Sequence, residues 1–170
     1  LCKNALVSHA EKVGFEKNKL YAGVCLYDHR PDRIERHQTR IEDFEDLVRL
    51  PEFWRNFDNR GHIVQPETLF PIDQFRAVGG LNTDNHFTMD YELWGRILQR
   101  GVEIVKTPVE YAGFRIHDDQ KTADHWEVTK SLTDTAAQLI RGHPDWSTSR
   151  KKRRLESIID YKKKVNYLIR

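Results

Sequence analysis

The sequence predicts an α/β fold, and three observations carry that expectation. NALVSHAEKVG, residues 4–14, has helical apolar spacing, stops at a glycine and is followed by KLYAGVCLYD, which is rich in aromatic and β-branched residues. The same order returns later, where the helical pattern from Thr88 to Arg100 ends at Gly101 and VEIVKTPVEYAGFRIH follows with strand character. Finally, 38% hydrophobic and 11% aromatic residues against 32% charged place the chain among globular proteins. With 170 residues it has length for one domain, residues 1–149, and a tail, residues 150–170.

Taken in order, the first helix covers residues 4–14 and the first strand residues 19–28. The polar stretch His29 to Arg40 reads as a loop, and such excursions often cover a site. IEDFEDLVRLPEFW resumes helical spacing at Ile41, Phe44, Leu47 and Val48 until Pro51 interrupts it. GHIVQPETLFP reads as extended chain, with Pro66 confined to an edge or irregularity of a sheet. IDQFRAV is a short helix, and Gly79 and Gly80 follow where a left-handed cap or close backbone approach is wanted. Thr88 is placed to cap the next helix and Gly101 to end it. VEIVKTPVEYAGFRIH supplies one or two strands broken at Pro108, and Asp118 and Asp119 are good caps for a helix from about Lys121 to Arg141. A last amphipathic helix runs from Arg150 to Ile169, with Leu155, Ile158, Ile159, Val165, Leu168 and Ile169 in one sector.

Composition excludes several classes. No apolar run approaches membrane-spanning length. Two cysteines, Cys2 and Cys25, are too few, and too far from any CxxC or His-rich pattern, to suggest a disulfide framework or a zinc site, so a reduced, cytoplasmic compartment is the default. The formal charge of +2 hides an asymmetry: residues 150–170 carry nine Lys or Arg against two acids, a local +7 that leaves −5 for the rest. The chain begins at Leu1 with no initiator methionine and no signal-peptide pattern, which predicts that it belongs to something longer.

Asp90 is the residue that does not fit its surroundings. At about 100° per residue, Met89, Leu93, Trp94, Ile97 and Leu98 fill one half of the helical wheel, and Asp90 falls in the middle of that half. Glu92, Gly95, Arg96 and Gln99 make the opposite face, where Glu92 and Arg96 form an i,i+4 pair. Asp90 has a structural reading, in which it caps a first turn favoured by the helix dipole. It also has a functional one, in which it points past the helix start into a cleft behind Gly79 and Gly80 and serves as a general base. His117, beside Asp118 and Asp119, has two readings as well: a satisfied residue at a strand end, or a ligand for a hard divalent ion such as Mg²⁺ or Mn²⁺.

From about Ile63 to Thr122 the chain resembles the second half of a family 2 glycosyltransferase with the nucleotide-diphospho-sugar transferase (GT-A) fold. Four features carry the resemblance in order: a Gln-Pro segment after an extended stretch, a short helix leading into GGL, the acidic motif DYELWGR, and FRIH followed by KT. The resemblance implies a partial GT-A mixed sheet flanked by helices and followed by C-terminal helices. It implies an inverting, metal-dependent transfer from a nucleotide-sugar donor to a glycan or lipid-linked acceptor. Asp90 matches the catalytic base, Glu92 the second acid, Gly79 and Gly80 the turn that approaches donor sugar and acceptor, Trp94 a wall of the pocket, and His117 a ligand of the Mn²⁺ or Mg²⁺ cofactor. The nucleotide-binding half and its Asp-x-Asp motif have no counterpart in these residues; YDHRPDR comes nearest but follows its strand in the wrong place. The chain is therefore expected to be the acceptor-side half, lacking a complete donor site and inactive alone.

The basic tail has three readings: a helix that packs its apolar stripe and shows its charges to water, a peripheral contact with anionic membrane at the cytoplasmic face, and a nucleic-acid contact. They rank in that order, and no nucleic acid is expected because the body is acidic and carries no recognised binding motif. The competing functional class is a non-catalytic half-domain that binds glycan or a partner and has no nucleotide site of its own.

Overall fold

The computed structural model describes residues 1–28, 33–50, 62–115 and 125–168. In chain order the elements are α1 (Ala5–Lys12), β1 (Lys19–Asp28), β2 (Ile34–His37), α2 (Phe44–Leu47), β3 (Thr68–Leu69), α3 (Ile72–Ala77), α4 (Met89–Leu98), β4 (Glu103–Arg115), α5 (His125–Gly142) and α6 (Thr148–Leu168). The result is an α/β chain built on a mixed four-stranded sheet. β1 is central: β4 runs parallel to it along one edge, while β2 and β3 pair antiparallel with opposite ends of the other edge.

The alternation of β1 decides which layer each side chain joins. Leu20 enters the main core with Leu47, Leu50, Trp94, Ile97, Leu132 and Ile140, whereas Tyr21 points to a smaller cluster with Ala5, Val109 and Tyr111. His9 of α1 is buried there, its Nδ1 2.7 Å from the Tyr111 hydroxyl and its ring edge-on to Tyr21. The Tyr111 ring lies directly across Gly23, where an added Cβ would come within 2.5 Å of it. With its hydroxyl held by His9 the ring has no simple escape. Gly23→Ala is therefore expected to destabilise by about 2–3 kcal/mol, as overpacking of a closed core does; a urea midpoint that barely moves would show that the ring yields.

Several elements differ from the sequence reading. The expected loop from His29 to Arg40 contains β2, whose polar Ile-Glu-Arg-His run gives no alternation; Ile34 is 69% exposed, and the strand exists because its backbone pairs with Cys25 to Asp28. The helix expected from Ile41 shrinks to one turn, Phe44–Leu47, capped by Asp43, whose side chain accepts from the Asp46 N–H at 2.8 Å. Ile41, Phe44, Leu47, Val48 and Leu50 are nevertheless all buried. Pro66 sits in a 3₁₀ turn, Gln65–Glu67, and only Thr68 and Leu69 after it are strand. Pro108 does not break β4: between the pairs Ala22 with Lys106 and Val24 with Glu110 the longer strand carries two extra residues, and the proline lies in that irregularity.

α4 is covered on both sides, so its expected polar face is not a solvent face. Gly95 packs so closely on Leu139 of α5 that a Cβ would come within 2.3 Å of it, and Gln99 Nε2 donates to the Leu139 carbonyl at 2.6 Å. Thr88 occupies the N-cap position but its hydroxyl does not cap; it bonds Asn85, Ser131 and Thr135 instead.

α6 starts two residues earlier than expected, at Thr148. Ile158 is buried but Ile159 is 53% exposed, so the apolar sector is narrower than the wheel suggested. Part of its charge is engaged by the rest of the chain. Arg150 and Arg154 both pair with Glu45 of α2, Arg150 also lies 4.3 Å over the Trp146 ring, Lys162 pairs with Asp134 at 2.9 Å, and Lys151 donates to the Arg141 carbonyl. Among the described residues no helix is long and apolar enough to cross a membrane.

Candidate active site

Asp90 lies in the first turn of α4, where helix N–H groups lack intrahelical partners. Its Oδ1 accepts from the Tyr91 N–H at 2.7 Å, the capping role of the structural reading. The functional reading finds its support in the same residue. Burial pushes the Asp90 carboxyl above its ordinary value, outweighing the backbone N–H groups of Tyr91 and Asp90 that pull it down. Tyr91, fully buried behind it, is anchored by its hydroxyl to the Leu47 carbonyl at 2.9 Å. The helix carrying Asp90 is thus fixed from below by α2 and from the side by α5.

Gly79 and Gly80 follow α3 with φ of 82° and 75°. Both lie in the left-handed region where only glycine is unstrained, and a Cβ on Gly80 would press on Phe75 at 3.2 Å. Their N–H groups close the α3 terminus on the Arg76 and Phe75 carbonyls. Arg96, one turn beyond Glu92, reaches over this turn: Nη1 donates to the Val78 carbonyl and Nη2 to the Gly80 carbonyl at 2.7 Å. Glu92 makes the i,i+4 pair with Arg96 that the spacing predicts. It accepts from Asn82 Nδ2 at 3.0 Å and Asn85 Nδ2 at 2.8 Å, and lies 3.5 Å from Arg96 Nε. Asn85 extends the network to Thr88, Ser131 and Thr135.

Trp94 is 3% exposed within the main core, so it supports α4 from inside and presents no face to solvent. His117, with Asp118 and Asp119, lies outside the described residues. Among the described residues no three His, Cys, Asp or Glu side chains gather as metal ligands would.

The C-terminus of α4 is tied to the amino ends of the parallel strands, through Asn18 Nδ2 to the Gly101 carbonyl at 3.2 Å and the Glu103 N–H to the Asn18 carbonyl at 3.3 Å. Asp90 stands at the other end of a ten-residue helix, about 15 Å long. An open groove of about 450 Å³ lies at the far end from Asp90, walled by Leu98, Val102, Ile104, Phe44 and Trp146. Its rim carboxylates Glu42, Glu45 and Glu103 are paired with Lys106, Arg150 and Lys19.

Two polar assemblies were missed by the sequence reading. One is the Arg96 network, of which only the i,i+4 pair was visible. The other is buried beside β1: His37 Nε2 lies 3.0 Å from the His62 carbonyl and 3.4 Å from Glu67 Oε2, and His62 Nε2 lies 3.2 Å from the Tyr27 hydroxyl. Glu67 also accepts from the Thr39 and Val64 N–H groups. No local pattern joins residues so far apart in sequence.

Fold and site together define an α/β chain with a half-buried carboxylate in the first turn of α4 and a double-glycine turn held by Arg96 of the same helix. The chain matches no family model, no curated protein and no solved structure.

Proposed function

We propose that the chain is the acceptor-side part of a GT-A glycosyltransferase that moves a sugar from a nucleotide donor to a glycan or lipid-linked acceptor with inversion. The observation that carries this reading is Asp90: a carboxylate in the first turn of α4, its proton affinity raised by burial, at the end of the helix away from the amino ends of the parallel strands. In open α/β sheets ligands gather beyond the carboxyl ends. Asp90 would take the proton of the acceptor hydroxyl. That oxygen would bond to the anomeric carbon from the face opposite the donor diphosphate, and the breaking C–O bond would leave its electron pair on the diphosphate. The reading includes a divalent ion, Mn²⁺ or Mg²⁺, with His117 as ligand, to neutralise the departing diphosphate. Asp90→Asn in the full-length gene product tests the assignment; turnover that survives would place the base elsewhere.

For the tail, the ion pairs of Arg150, Arg154 and Lys162 support the packing role. Among the described residues, membrane contact would then rest mainly on Lys152, Arg153 and Lys163, all exposed. The chain is expected to stay in the supernatant with phosphatidylserine vesicles at about 0.15 M salt, where screening acts beyond about 8 Å. Sedimentation that Lys152→Glu with Arg153→Glu abolishes would move membrane contact ahead.

A further inference from the structure

We propose that Arg96 is a positioning residue for the transfer site: its guanidinium sets the Gly79–Gly80 turn relative to Asp90 and thereby fixes the backbone that meets the donor sugar. The inference rests on the glycosyl-transfer reading above. A turn of two left-handed glycines has no side chain to hold it, and glycine carries the largest backbone freedom to lose. A ligand docking on a loose turn would have to order it, at a cost in affinity. Arg96 removes that freedom beforehand. Its two donors bracket the turn at the Val78 and Gly80 carbonyls, which a planar fork can reach together and a lysine ammonium cannot. The guanidinium is itself held, with a side chain only 23% exposed and Glu92 behind it at 3.5 Å.

The same carboxylate secures the chain leaving the turn, through Asn82 and Asn85, and Asn85 passes the hold to Thr135 on α5 at 3.1 Å. Asp90 and Arg96 stand on one rigid helix. The base and the glycine turn therefore keep a common frame, as a site accurate to fractions of an ångström requires.

The test compares wild type, Arg96→Lys and Arg96→Ala in the full-length gene product. Amide hydrogen exchange follows Gly79 to Asn82. Turnover is read as nucleoside diphosphate released from a panel of UDP-, GDP- and dTDP-hexoses with Mn²⁺ present. Arg96→Ala is expected to speed exchange at Gly79 and Gly80 at least ten-fold with β1 unchanged, and to raise KM for the preferred sugar nucleotide at least ten-fold with kcat within three-fold. Arg96→Lys should recover part of both. Unchanged exchange at the turn overturns the proposal, and so does loosening spread evenly over β1 and α4, which marks a merely structural role. A wild type inert on the whole panel removes the transferase reading instead, and the exchange result then judges the hold of Arg96 on the turn by itself.

Discussion

Asp90→Asn is expected to cut turnover by about 10²–10⁴-fold, the usual range for losing a general base, while leaving the fold intact. Asparagine has the same shape, and its oxygen can still accept from the Tyr91 N–H that Asp90 now holds at 2.7 Å. What it cannot do is take a proton. The pH profile gives a second, independent reading. The base acts only when ionised, so the rate falls as pH drops through the Asp90 pKa, and burial has moved that value above its ordinary 3.8. The acid limb of kcat/KM is therefore expected at a higher pH than an ordinary aspartate would give. Equal activity in both proteins sinks the base assignment; an inert wild type with specific glycan binding favours the half-domain reading.

The parts of this fold that were legible are those whose cause is local. β1 is found at Lys19–Asp28 as expected, because aromatic and β-branched residues crowd that stretch. Gly14, Gly79, Gly80 and Gly101 all have positive φ, so each glycine marked a real backbone requirement. What failed was non-local. β2 is made by its partner strand, and nothing in Ile-Glu-Arg-His announces that pairing. The apolar spacing from Ile41 to Leu50 marked burial correctly but helix only in part, because an irregular segment that turns its greasy side chains inward shows the same spacing.

The site divides along the same line. Asp90 stood out because a charge among apolar neighbours on one helix is a local contradiction. Arg96 did not, because a Glu four residues before an Arg is common on solvent-facing helices, and its other partners are backbone carbonyls of Val78 and Gly80 that any residue would offer. The covered face of α4 was hidden for a related reason. Gly95 reads as a helix-weakening residue until Leu139 is seen occupying the space of its missing side chain.

The largest stability effect is expected from acid. His62 is buried against His37, with ring centroids 4.7 Å apart, and its Nε2 meets the Tyr27 hydroxyl at 3.2 Å. Burial first, and the neighbouring His37 second, drive its pKa down to about 3 from 6.5. Between those values the unfolded chain binds a proton that the folded chain refuses. The contribution is whole above pH 6.5 and is lost as pH falls toward 3, at about 1.4 kcal/mol per pH unit. His9 and His143, also lowered by burial, add to the slope in the upper part of that window. Asp90 works the other way: its raised pKa makes the folded chain hold a proton longer, so its contribution falls as pH rises through that value. Three histidines against one carboxyl leave stability falling with acid. Urea midpoints are expected to drop steadily from pH 7 to pH 5, and His62→Gln should flatten the profile by about 1.4 kcal/mol per pH unit. If the wild-type midpoint is level over that range, His62 is not held neutral in the fold, and the burial of this cluster has been misread.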